Sequence, residues 1–289
     1  MSVSPAFRLL PLLPLLLAAC ANNAPDKPFA DFDDAARSVT QSSAGTLARI
    51  QQNTRLNAVL TAPNAPLRAD TFRPQAGNGA SYDLGPALGQ LQATLDALEK
   101  YARTLRSLAG DREAEARVDA AAQDLSDSVQ DLKLRGGDET AAKILATAAD
   151  ALGRQLTTAQ RKNALRNTMA TAQPGLELLA ASSHRALSAL PGYLSVLRDS
   201  LLRHANFSRP RYGSWERYQF DLAIADRLRE FEQIEAALQA SDKAIQAFPD
   251  TNRQLLQSLD APQSKLQALR DFAAEARRLR NFYRDLPAQ

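Results

Sequence analysis

Between Leu84 and Leu105 the apolar residues step by four and three without a slip: Leu84, Leu88, Leu91, Leu95, Leu98, Ala102 and Leu105. That spacing places every one of them on a single face of an α-helix, the a/d seam of a coiled coil or helical bundle. A helix with one continuous leucine seam has to bury it against other helices, so this segment constrains the fold of the whole chain. Similar seams follow. Val118, Ala121, Leu125, Val129 and Leu132 carry one; Ala141, Ile144, Leu145, Ala148, Leu152, Leu156, Leu165 and Met169 another; Leu176, Leu179, Ser183, Leu187, Leu190, Leu194, Leu197 and Leu201 a third. Trp215, Tyr218, Leu222, Ala225, Leu228, Phe231, Ile234, Leu238 and Ile245 read as one further stripe, and Leu255 to Leu286 as the last. Period-two alternation and clustered β-branched residues are missing throughout. The expected fold is all-α, an elongated antiparallel helical bundle with coiled-coil-like seams.

The seams are punctuated. Asp31, Asp33 and Asp34 crowd the start of a first helix expected from about Phe29 to Leu60, where acidic side chains complement the helix dipole. Pro63, Pro66, Pro74, Gly77 and Gly79 then mark a flexible loop at about 61–83. If Gly110-Asp111 is tolerated, the next helix runs for about 50 residues, or ~75 Å. If it is not, two helices take its place. Gly136-Gly137 is a clear stop and Asp138 a new N-cap. Pro174-Gly175 is expected to end or kink the helix after that, Pro191-Gly192 to kink it again, and Pro249 to close the stripe that begins at Trp215.

Composition removes several kinds of chemistry. With 35 basic and 32 acidic residues the formal charge is only +3, a mixed surface and not a nucleic-acid footprint. His184 and His204 are the only histidines, so a histidine-rich metal site is excluded, and neither has the Glu-x-x-His spacing of a di-iron bundle. His-Glu-x-x-His, Gly-x-Ser-x-Gly, Walker and Cys-x-x-Cys-His motifs are absent. No catalytic residue, metal or cofactor is assigned. The single cysteine, Cys20, leaves no disulfide within the chain.

One connection combines cationic and aromatic residues. Arg203, His204, Arg209, Arg211, Tyr212, Trp215, Arg217 and Tyr218 cluster around a turn between two helices, and they include the only tryptophan. Arginine forks read carboxylates and phosphates bidentately, and aromatic faces stack on sugars or bases, so the segment reads as a recognition patch for an acidic polymer or a partner protein. Arg209, Arg211, Tyr212, Trp215, Arg217 and Tyr218 are therefore the candidate partner-binding residues. The competing reading is structural: Phe207, Tyr212 and Trp215 close the end of the core, and the arginines cover them.

The first twenty residues add a location. Arg8 precedes an apolar run from Leu9 to Ala19, the length of a signal-peptide h-region and too short to span a bilayer. Pro11 and Pro14 further disfavour a spanning helix. The run ends in Leu17-Ala18-Ala19-Cys20, which resembles the lipobox of a bacterial lipoprotein. The resemblance implies a signal peptide over 1–19, cleavage between Ala19 and Cys20, a diacylglycerol on the Cys20 thiol, a lipidated tether over 20–28 and a helical bundle over 29–289. Ala21 stands where well-studied Gram-negative lipoproteins retained at the inner membrane have aspartate. The implied location is the periplasmic face of an outer membrane. Together these expectations describe a non-enzymatic, membrane-tied scaffold or adaptor with an envelope protein as partner. An envelope module binding an anionic polymer, peptidoglycan or lipid through residues 203–218 is the alternative.

Overall fold

The computed structural model describes residues 26–61, 84–110, 115–150, 158–261 and 266–284. Seven α-helices are described: α1 (Asp26–Thr61), α2 (Gly85–Ala109), α3 (Glu115–Leu134), α4 (Glu139–Asp150), α5 (Thr158–Ser208), α6 (Ser214–Ser258) and α7 (Gln267–Arg284), with a short 3₁₀ turn at Arg209–Arg211 between α5 and α6. No strand occurs among the described residues, and none of their helices is long and apolar enough to cross a membrane. Ala19 and Cys20, the segment 1–19, residues 20–25 of the expected tether and residues 62–83 of the expected loop lie outside the described residues. Pro28, assigned to the tether from sequence, sits in the first turn of α1, where a missing N–H costs nothing.

The helices form one antiparallel bundle around a shared core, and side-chain bonds fix their register. Thr40 of α1 donates to the Leu95 carbonyl of α2 at 3.1 Å, and Arg106 of α2 meets Asp33 of α1 at 3.0 Å. Thr104 donates to the Ala121 carbonyl at 3.0 Å, so α3 runs back along α2. The chain thus reverses after Gly110, and the continuous 50-residue helix is not formed. Gly110 itself is extended, with φ −77° and ψ 172°. From α5 to α6, Gln246 donates to the Ala180 carbonyl at 2.9 Å and Arg253 to Glu177 at 2.8 Å, again antiparallel. Thr251 to the Ala268 carbonyl, at 3.2 Å, ties α7 back on α6.

The stop at Gly136-Gly137 takes the form the sequence indicates. Gly136 is left-handed at φ +75°, its N–H bonds the Lys133 carbonyl at 3.1 Å, and that of Gly137 bonds Leu132 at 2.8 Å. This is a Schellman closure. Asp138 then caps α4, its Oδ1 accepting the Ala141 N–H at 2.9 Å.

The seam from Asp138 to Met169 is not one helix but two. α4 ends at Asp150, α5 begins at Thr158, and α4 folds against α5 so that a Cβ on Gly175 would stand 3.0 Å from Ile144 Cγ2. Glycine at 175 permits that approach. Pro174, Pro191 and Pro249 end nothing: α5 continues through the first two and α6 through the third. Packing along these long helices outweighs the roughly 3 kcal/mol that an interior proline costs.

Most seam residues are buried, from Leu88 and Leu95 to Leu194 and Phe272. Phe32, Tyr101, Phe248 and Phe272 form an aromatic cluster joining α1, α2, α6 and α7, with ring centroids 4.6 Å apart for Phe32 and Phe248. A buried polar layer crosses the same region. The Tyr101 hydroxyl donates to Asn252 Oδ1 at 2.6 Å, and Asn252 Nδ2 donates to Gln173 Oε1 at 2.8 Å and to the Met169 carbonyl at 3.2 Å. A second layer sets Glu230, almost wholly buried, between Asn53, Arg49 and Arg227.

Candidate interaction surface at the turn between α5 and α6

The first third of α6 departs from the single stripe read from sequence. Phe231, Ile234, Leu238 and Ile245 are buried, whereas Trp215 is 69% exposed, Tyr218 53% and Leu222 44%. The cause lies in the spacing. From Leu222 through Ala225, Leu228 and Phe231 to Ile234 the residues advance by three at every step. Three residues turn an α-helix by about 300°, so each step falls ~60° short of a full turn and four steps carry the stripe ~240° around the helix. Trp215, Tyr218 and Leu222 consequently sit on the face of α6 turned away from the bundle. The inward face of this segment is continued by Phe220, Ile224 and Arg227, which with Leu56 of α1 and Leu197 and Leu201 of α5 line an apolar groove of about 260 Å³.

The reading in which Phe207, Tyr212 and Trp215 close the core fails for Phe207 and Trp215. Phe207 is 64% exposed, and Tyr212 is exposed as well. Trp215 stacks on Tyr218 at the surface with centroids 5.6 Å apart, whereas Tyr212, 37% exposed, tilts at 5.0 Å against Phe220, which lines the inward groove. Each pairing sets two large rings against one another.

The arginines are engaged locally. Arg209 forks onto Asp221 through Nε and Nη2, both at 2.8 Å. That hydrogen bond holds the Asp221 carboxyl below its ordinary range, with the charges of Arg209 and Arg217 adding to it, and raises the Arg209 pKa in turn. Arg211 lies over the Phe207 ring, 4.3 Å from its centroid, and Arg217 Nη2 donates to the Tyr212 carbonyl at 3.0 Å. The Gly213 N–H bonds Glu216 Oε2 at 3.0 Å and starts α6. These bonds stiffen the turn that presents the rings.

The residues singled out from sequence fall into separate contacts around this turn: Arg209 with Asp221, Arg211 with Phe207, Arg217 and Phe220 with Tyr212, and Trp215 with Tyr218, while Leu222 is exposed though the spacing suggested core. His204 is half-buried near the end of α5. His184 lies further down the helix, its Nδ1 within 2.9 Å of Asp242. No group of three or more metal-ligating side chains occurs among the described residues. Comparison with models of known families, with curated proteins and with solved structures gives no match.

Proposed function

We propose that the protein is a non-enzymatic scaffold or adaptor of the cell envelope, tied by lipid on Cys20 to the periplasmic face of an outer membrane and presenting the α5–α6 turn to a partner protein. The observation that carries the partner role is the outward stripe of Trp215, Tyr218 and Leu222 on a stiffened turn. Tryptophan, tyrosine and arginine are the residues that dominate binding energy at protein interfaces, and a pair of rings already held in place loses little freedom on docking. The anchor is supported by the likeness of Leu17-Ala18-Ala19-Cys20 to a lipobox.

Position fits the same reading. Phe248 touches Phe32 near the start of α1. Trp215 lies thirty-three residues before Phe248 along α6, about 50 Å at 1.5 Å per residue. A chain held by its N-terminus would thus carry the aromatic turn at the end remote from its anchor.

The alternative, capture of an anionic envelope polymer by the arginines, draws less support because Arg209, Arg211 and Arg217 are each occupied within the turn. Co-purification from cells separates the two. The adaptor reading expects Trp215→Ser/Tyr218→Ser/Leu222→Ser to lose a defined protein partner while Arg209→Ser/Arg211→Ser retains most of it. Sedimentation with purified peptidoglycan or lipopolysaccharide that is lost only in the arginine variant would reverse the conclusion.

A further inference from the structure

The opposite end of the bundle carries a different surface. The first three turns of α1 lie beside α7, and the two helices leave between them an open groove of about 620 Å³, within the range of ligand sites. Leu269, Ala273 and Ala276 supply an apolar floor, with Arg270, Arg277 and Arg280 along one wall and Lys27 on the other. All four cations are exposed, and none has an ion-pair partner among the described residues. Arg277 donates within its own helix to the Ala273 carbonyl, at 3.2 Å. Of the two carboxylates at the groove, Asp34 is already shared with Arg106 at 3.2 Å, and Asp31 remains. Most other arginines of the bundle are paired, as Arg106, Arg209 and Arg253 are. A surplus of unpaired arginine beside an apolar floor is the chemistry of an anionic amphiphile site.

We infer that this groove holds the phosphorylated headgroup of an anionic membrane lipid, the guanidinium groups of Arg270, Arg277 and Arg280 on the phosphate and the upper acyl chain along Leu269, Ala273 and Ala276. Reach supports the lipid as occupant. α1 begins at Asp26, six residues after Cys20, and six residues span at most ~20 Å. The end of α1 that lines the groove is thus held close to any bilayer in which Cys20 is anchored. That placement rests on the reading of Cys20 as the lipidated residue, whereas the chemistry of the groove does not.

The test uses the full protein purified from whole cells lysed in mild detergent, with native mass spectrometry counting bound short-chain phosphatidylglycerol, short-chain phosphatidylcholine or inorganic phosphate. One phosphatidylglycerol should be retained in preference to phosphatidylcholine. Arg270→Ser/Arg277→Ser/Arg280→Ser should weaken it on the order of a hundredfold, at roughly fivefold per arginine near an anionic surface. Replacement of the same three by lysine should keep most of the binding. The serine variant should lower the unfolding temperature by no more than a few degrees, the cost of helix propensity, since these side chains are exposed and form no ion pair among the described residues. Equal retention of phosphatidylcholine, indifference to the serine variant, or displacement by equimolar inorganic phosphate would overturn the assignment. The intact mass of the same sample reports the acyl chains on Cys20, so failure of the anchor and failure of the groove are read separately.

Discussion

Tyr101→Phe removes one oxygen atom from the centre of the bundle and leaves its packing intact. Tyr101 and Asn252 are both wholly buried, and the bond between them, 2.6 Å long, joins α2 to α6. Burial pushes the Tyr101 pKa well above its ordinary value, so the phenol is a neutral donor at pH 7. Without the hydroxyl, Asn252 Oδ1 has no partner, while its Nδ2 stays bound to Gln173 and the Met169 carbonyl. The loss combines a net hydrogen bond of about 1 kcal/mol with the penalty of an unsatisfied buried acceptor, for a total of about 2 kcal/mol. Equilibrium urea unfolding followed by circular dichroism should show the midpoint falling with an unchanged slope. Combining Tyr101→Phe with Asn252→Leu removes both ends of the bond, and the pair should cost at least ~1 kcal/mol less than the sum of the single variants. A single variant within ~0.5 kcal/mol of the native protein, or strictly additive effects, would refute the claim that this bond is a structural link between the two helices.

Other outcomes follow from the same geometry. Trp215→Ser and Tyr218→Ser should shift stability by no more than ~0.5 kcal/mol, whereas Phe231→Ala, on the buried face of the same helix, should cost about 3–5 kcal/mol by urea unfolding. Gly137→Ala would bring a Cβ within 2.8 Å of the Leu132 carbonyl and closer still to its side chain; a thermal midpoint lowered by several degrees is expected. Asp221 has a folded pKa below its ordinary value because Arg209 bonds it, so its contribution is complete above about pH 4 and is lost as pH falls through the lowered value. Asp221→Asn should therefore loosen the α5–α6 turn at pH 7, measured by amide hydrogen exchange, and the difference from the native protein should shrink as pH falls through the lowered value. Asp96 has the opposite sign: burial raises its pKa against the bonding of Gln92, which penalises the charged form. Asp96→Asn should raise the midpoint at pH 7, and that gain should vanish in acid.

The legible parts of the fold are those in which one local rule acts alone. Leucine at steps of three and four reports a buried face directly, and Gly136, Gly137 and Asp138 announce a stop and a start through backbone conformation and capping. The turn between α4 and α5 was hidden because both helices face the same core, so the apolar rhythm runs on across the reversal. Pro174 and Pro249 misled in the other direction where they were read as helix ends. Their local cost is real, but α5 and α6 pack along their length against several neighbours, and that term is not local. In α6 the seam read as one stripe was two faces joined by a run of three-residue steps, visible in the sequence once the angle of each step is added up. The residue types of the candidate surface were legible in the sequence, but their grouping was not: Trp215 pairs with Tyr218, and Tyr212 with Arg217 and Phe220. The α1–α7 groove left its own trace, arginine at 270, 277 and 280, but the apolar floor beside it comes from tertiary packing.

The central claim is that the turn between α5 and α6 is a surface for a partner protein. It is tested most directly by photo-crosslinking in intact cells from a reactive residue placed at Tyr212, with a second placed at Lys143 on the exposed face of α4 as control. A discrete protein adduct from position 212, lost on Trp215→Ser/Tyr218→Ser and absent from position 143, is the predicted result. No adduct at 212, adducts to glycan or lipid alone, or the same products from both positions would contradict it.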